Sequence, residues 1–119
     1  MEIPKGTIVQ EKMKISFVKI DRVFEKIRNM NLNGYMKLET TYGIGYAFLR
    51  CGEILFSVFS KEGDFFIGKE AHTLLERAKN DANTIIDIYS LDENLVNKIS
   101  DVLKYESIGV PSIKYIFPL

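Results

Sequence analysis

Residues 46–59, Tyr46-Ala-Phe-Leu-Arg-Cys-Gly-Glu-Ile-Leu-Phe-Ser-Val-Phe59, read as two strands around a tight turn, and the hairpin they form is apolar on both faces. Side chains alternate across a strand, and cross-strand partners share a face. With Cys51-Gly52 as the central turn residues, Arg50 pairs with Glu53, Leu49 with Ile54 and Phe48 with Leu55. Outward from there, Ala47 meets Phe56, Tyr46 meets Ser57, Gly45 meets Val58 and Ile44 meets Phe59. That register puts Ala47, Leu49, Ile54, Phe56 and Val58 on one face, and Ile44, Tyr46, Phe48, Leu55 and Phe59 on the other. A turn shifted by one residue swaps the faces and leaves both apolar. Such a hairpin needs cover on each side: the domain's own helices can fill one face, and the other needs a second cover.

The rest of the chain supplies elements to provide it. Thr7–Met13 is expected to be a first strand. A helix follows, with Ile20, Val23, Phe24, Ile27 and Met30 at three- and four-residue spacing. Asn31 to Gly34 end it, and Tyr35–Thr41 is the next strand, turned into the hairpin by Tyr42-Gly43. A polar connection, Ser60–Asp64, leads to a second helix near Lys69–Lys79 with Ala71, Leu74, Leu75 and Ala78 inward. Thr84–Tyr89 is another central strand, and Ser90 or Asp92 caps a third helix carrying Leu95, Val96, Ile99, Val102 and Leu103. The tail, 107–119, is expected either to add an edge strand or to pack across the sheet. The order is β-α-β-β-β-α-β-α: an α+β fold with three helices on a mostly antiparallel sheet of about five strands. No repeat, low-complexity tract or linker divides the 119 residues, which read as a single domain, 1–119.

Succession along the chain carries a resemblance. Asn33-Gly34-Tyr35 opens a strand, Gly45–Leu49 forms the next, and Cys51-Gly52-Glu53-Ile54 occupies the turn. Gly68-Lys-Glu-Ala71 then opens a helix with Leu74-Leu75. This pattern, over residues 4–106, resembles PATAN-type domains. It is also similar to an archaeal family of unknown function that begins with a Pro-x-Gly lead-in, as Pro4-Lys5-Gly6 does here. The family pattern has Asp, Asn or Glu before the turn glycine, where this chain has Cys51. The resemblance implies a non-catalytic interaction or signalling domain and brings no active site with it.

Several chemistries are excluded on composition. Sixteen Lys and Arg balance sixteen Asp and Glu. Zero net charge argues against a dedicated nucleic-acid binder. The seven Lys/Arg among residues 1–28 face four Asp/Glu, and Lys19, Arg22 and Lys26 read as a solvated helix face. Tyr46, Phe48 and Phe59 are aromatic and sheet-borne, but basic residues beside them are sparse and no RNA-binding motif appears. Apolar runs are far shorter than the roughly 20 residues that span a bilayer. One cysteine and no export pattern at Met1–Gly6 give the expectation of a cytoplasmic protein without disulfides.

Catalysis by a Cys/His pair would need Cys51 and His72, the only copies of each, and their spacing does not bring them together. One Cys and one His cannot close a zinc site. Asp92-Glu93 read as first-turn helix acids. Asp87, inside Ile85-Ile86-Asp87-Ile88-Tyr89, is expected to mark the wetter side of its strand. Tyr42–Gly45 and Gly63–Gly68 are glycine-containing loops without a phosphate-loop or dinucleotide fingerprint. The reading is therefore of no enzyme, no cofactor and no metal.

What remains is an interaction or regulatory domain. Its expected contact surface is Ile44, Tyr46, Phe48, Leu55 and Phe59, edged by Arg50 and Glu53, binding a protein partner or a second copy as a homodimer. The opposing expectation is that the third helix or the tail covers this face within the chain. The alternative function is a small-ligand sensor with a pocket between helix and sheet near Phe65, Phe66 and His72.

Overall fold

The structure, a computed structural model, describes residues 6–107, the side chains of 17 and 103–107 excepted. Its strands are β1 (Thr7–Lys14), β2 (Gly34–Glu39), β3 (Ile44–Arg50), β4 (Glu53–Lys61), β5 (Asp64–Ile67) and β6 (Ile85–Ser90). Its helices are α1 (Ile20–Asn29), α2 (Lys69–Lys79) and α3 (Glu93–Ser107). The strands form one antiparallel sheet in the order β1-β6-β2-β3-β4-β5. The expected α+β class and element order hold, with one strand added. The tail from residue 108 on and the inward placement of Leu103 fall outside the described residues.

That added strand is β5, where a polar connection was expected. Glu62 and Gly63 both take left-handed backbone, with φ of 52° and 83°. Two such residues in succession make the tight turn whose twist suits a hairpin. The chain therefore doubles back, and Asp64, Phe65, Phe66 and Ile67 pair with Lys61, Ser60, Phe59 and Val58. The Gly63–Gly68 loop of the sequence reading is this strand. Glu62 is an uncommon residue for a positive φ, so the residue type does not announce the turn.

The β3–β4 turn is the expected one. Cys51 and Gly52 have φ of 51° and 81°, although cysteine rarely takes this conformation. The loop after α1 grips it: Cys51 N–H donates to Asn33 Oδ1 at 2.9 Å, and Gly52 N–H to the Leu32 carbonyl at 2.9 Å. A Cβ on Gly52 would lie 2.6 Å from the Arg28 Cα, so the turn also needs glycine for clearance.

Beyond the turn the register departs from expectation. Arg50↔Glu53 and Leu49↔Ile54 pair as expected, but Phe48 pairs with Phe56, Tyr46 with Val58 and Gly45 with Phe59. Leu55 is the extra residue of a β-bulge, and one inserted residue sends every later side chain of β4 to the opposite face. Phe56 and Val58 therefore join Tyr46 and Phe48, while Phe59 crosses to Ala47 and Leu49.

Two cores result. On one side α1 and α2 cover the sheet, with Val23, Ile27, Ala71, Leu75 and Ala78 over Met36, Leu38, Leu49, Phe59, Ile86 and Ile88. Met30, expected inward, is exposed beyond the end of α1. On the other side Ile99 and Leu95 of α3 pack on Tyr35, Tyr46, Phe48 and Val58. Phe48 is fully buried there. Phe48→Ala removes its ring from a sealed layer and is expected to cost about 3–5 kcal/mol, measured as the drop in unfolding free energy in urea.

Candidate functional site

The expected contact surface lies inside the molecule. Phe48 and Phe59 are fully buried and Tyr46 is nearly so, while Ile44 and Leu55 are half-buried. Phe59 is not on the face of the other four, because the Leu55 bulge has turned it toward α1 and α2, where it stacks on Tyr42 at 5.6 Å. The remaining face is covered within the chain, by α3. The structure thus corrects the surface of Ile44, Tyr46, Phe48, Leu55 and Phe59: these residues belong to two cores and a bulge, and most of their area is spent on internal packing.

The α3-covered layer is unusually rich in tyrosine. Tyr35 stacks on Tyr89 at 5.0 Å and meets Tyr46 and Phe48 with ring centroids at 6.2 and 6.0 Å. Burial pushes the Tyr35 hydroxyl far above its ordinary 10.0, with the neighbouring Tyr89 and Tyr46 adding to the effect. The hydroxyls of Tyr46 and Tyr89 are raised as well, again chiefly by burial. Beside this layer Asp87 is buried, contrary to the wet-side expectation. The strand β1 supplies the reason: Lys12 has a φ of 55° where the β1–β6 register slips, and its N–H reaches Asp87 Oδ1 at 2.7 Å. A bulge has aimed a backbone donor at a carboxylate, which meets part of its cost of burial.

Neither chemical constellation considered from the sequence assembles. Cys51 is exposed at the β3–β4 turn. His72 is exposed on α2, where its Nε2 lies 3.6 Å from Glu76. Among the described residues no three His, Cys, Asp or Glu side chains gather where they would hold a metal ion. The expected ligand pocket near Phe65, Phe66 and His72 does not converge either. His72 faces one flank of α2 and Phe66 lies beneath the other.

Each flank borders a concave feature of the surface among the described residues. The first is a narrow cleft between α1 and α2. Its floor is Met36, Leu38 and Ala47, and Phe24, Leu75 and the exposed Ile54 form its walls. Lys79 closes the mouth, its ammonium 5.1 Å from the Phe24 ring and 2.8 Å from Glu76. That hydrogen bond holds the Glu76 carboxyl below its ordinary range. The second is an open groove between β5 and the outer flank of α2, lined by Phe66 and Leu74 with Thr73, and by Lys61 and Glu70. On the opposite face of β5, Phe65 keeps 40% of its surface exposed.

These features make the β5 border apolar on both faces of the sheet. Sequence reasoning named Phe65 and Phe66, but assigned them to a loop beside a pocket. The alternation that would have revealed the border depends on recognising Glu62-Gly63 as a hairpin turn.

A family model described as "Uncharacterized protein conserved in archaea (DUF2226)" matches residues 1–103. No curated protein and no solved structure matches the chain. No helix among the described residues is long and apolar enough to cross a membrane.

The tyrosine layer makes a prediction about pH. A hydroxyl whose pKa is raised on folding stabilises the fold below its unfolded value, and that contribution is lost as pH rises through the alkaline range. Tyr35→Phe is therefore expected to flatten the fall in melting temperature between about pH 10 and 12. Absorbance titration of the native protein should show Tyr35 ionising only as the protein unfolds.

Proposed function

The chain belongs to this family of uncharacterised proteins conserved in archaea, and we propose that it is a non-catalytic interaction domain that docks a protein partner along the β5 border of its sheet. The carrying observation is Phe65, a large apolar side chain left 40% exposed on an edge strand whose opposite face opens onto the Phe66/Leu74 groove. Interfaces draw on aromatic anchors set in apolar depressions with charged residues at the rim. Here Lys61 and Glu70 supply that rim. The resemblance to PATAN-type domains supports the same class of function. In this reading α3 seals the tyrosine layer as structure, and docking falls to the border that the helices leave open. A cytoplasmic setting accords with the single cysteine.

The reading is tested with a substitution at an exposed position. Phe65→Asp is expected to leave the melting temperature within a few degrees of wild type, as exposed substitutions usually do. It should abolish retention of any partner that the wild-type protein captures from an archaeal extract. Retention of the same partner by both proteins would remove the β5 border from the interface.

A further inference from the structure

The two borders of the sheet are built differently. At the β1 border the register slips twice, between Ile8 and Gln10 and between Gln10 and Met13, and Glu11, Lys12 and Lys14 stand along the strand. Bulges and charges are the usual means by which a protein keeps an edge from pairing with another chain. The β5 border has no bulge, and its charged residues stand only at its two ends. Its pairing with β4 is regular from Asp64 to Ile67, and Phe65-Phe66-Ile67 is an uninterrupted apolar run.

Its backbone groups can be placed. In an antiparallel ladder, residues alternate between bonding their partner and pointing away from it. Lys61↔Asp64 closes a two-residue turn, and Gly68 N–H donates to the Ser57 carbonyl at 3.1 Å, so Asp64, Phe66 and Gly68 face β4. Phe65 and Ile67 therefore direct their N–H and C=O groups outward, and among the described residues no strand lies beyond them.

We propose that this edge pairs with the β5 edge of a second copy of the chain, antiparallel about a two-fold axis beside Phe66, joining the two sheets into one. The proposal rests on the interaction-domain reading and names its partner. Three features of the border are self-complementary in that register. Phe65 faces the second copy's Ile67, with both in outward-bonding positions. The half-buried Phe66 side chains meet at the axis, where the two Phe66/Leu74 grooves adjoin. The charges also alternate in the required sense. Lys61 and Asp64 lie at one end of the border, Lys69 and Glu70 at the other. Antiparallel pairing sets each end against its opposite, so Lys61 approaches the second copy's Glu70, and Asp64 approaches its Lys69. A two-fold interface requires this kind of reciprocal match. An unrelated extended peptide has no reason to supply it.

Light scattering across a concentration series tests the proposal. The wild type is expected at twice the 13.7 kDa chain mass. Phe65→Pro removes an outward donor while leaving the β4 ladder its bonds, and proline is tolerated at such edge positions. It should give a monomer with a near-native melting temperature. Lys61→Glu should raise the dimer dissociation constant by roughly tenfold, since two symmetry-related exposed pairs become repulsive. Adding Glu70→Lys should restore it.

Other outcomes overturn the proposal. A wild type that stays monomeric at millimolar concentration does so, as does a dimer that Phe65→Pro leaves intact. A monomer whose Phe65→Pro variant melts well below wild type also does, because the edge is then covered from within the same chain. The interaction reading has a separate fate. A monomeric wild type that loses its captured partner through Phe65→Asp ends self-pairing and leaves partner docking at the same border standing. A dimer with no captured partner has the reverse effect.

Discussion

The extra residue that β4 accommodates at Leu55 decides which core each aromatic of the hairpin enters. Without it, Phe59 would point toward α3 and Phe56 and Val58 toward α1 and α2. The bulge exchanges them, so that Phe59 fills the space under α2 beside Gly45 and stacks on Tyr42. Gly45 records how tight that space is: a Cβ there would meet Leu75 Cδ2 at 2.3 Å and Phe59 at 3.0 Å. The small residue and the flipped ring are one packing solution. The opposite layer gains Val58 and Phe56, which widen the apolar ground on which Ile99 and Leu95 sit. Because the sheet is packed on both sides, the apolar ground of each face is largely spent on internal packing.

Much of this was legible in the sequence, and for identifiable reasons. The helices showed in their spacing: Val23 and Ile27, Ala71 and Leu75, and Val96 and Ile99 are all buried as periodicity requires. The Cys51-Gly52 turn followed from strand lengths and the glycine. That the hairpin needs two covers also followed, since alternation made both faces apolar in either register. The identity of the second cover did not, because α3 and a second molecule offer the same apolar chemistry to a sheet. Three-dimensional connection alone places Ile99 over Phe48.

The misses share one cause, which is backbone conformation that the residue type does not announce. Leu55 carries no mark of a bulge. Glu62 and Lys12 take positive φ, as Cys51 does, where Asn or Gly is the common choice. At Cys51 the Asn33 side chain supplies a specific partner for the strained turn, and at Lys12 the Asp87 carboxylate does the same. Asp87 was read as a solvent marker because alternation along β6 cannot reveal a donor that arrives from a distorted neighbour. The departures of register and burial thus trace to the backbone at Lys12, Leu55 and Glu62. The candidate surface moved with them, from Phe48 and Phe59 to Phe65 and Phe66.

The Glu62–Gly63 turn has the widest consequence of these. Had the chain left the sheet at Lys61, β4 would be the edge, presenting the long run Glu53–Lys61 to solvent with Val58 and Phe59 beside it. Adding β5 covers the end of that run with a four-residue strand. Coverage moves the edge but cannot abolish it, since only closure into a barrel removes a sheet border altogether. The new edge is short, which limits nonspecific pairing, yet it is apolar on both faces and flanked by opposite charges at its two ends. Solvent protection alone would favour a lysine or a bulge at Phe65, as β1 has at Lys12. A phenylalanine on the exposed side of an undistorted edge, above a groove of matching character, is the observation on which the proposed pairing rests.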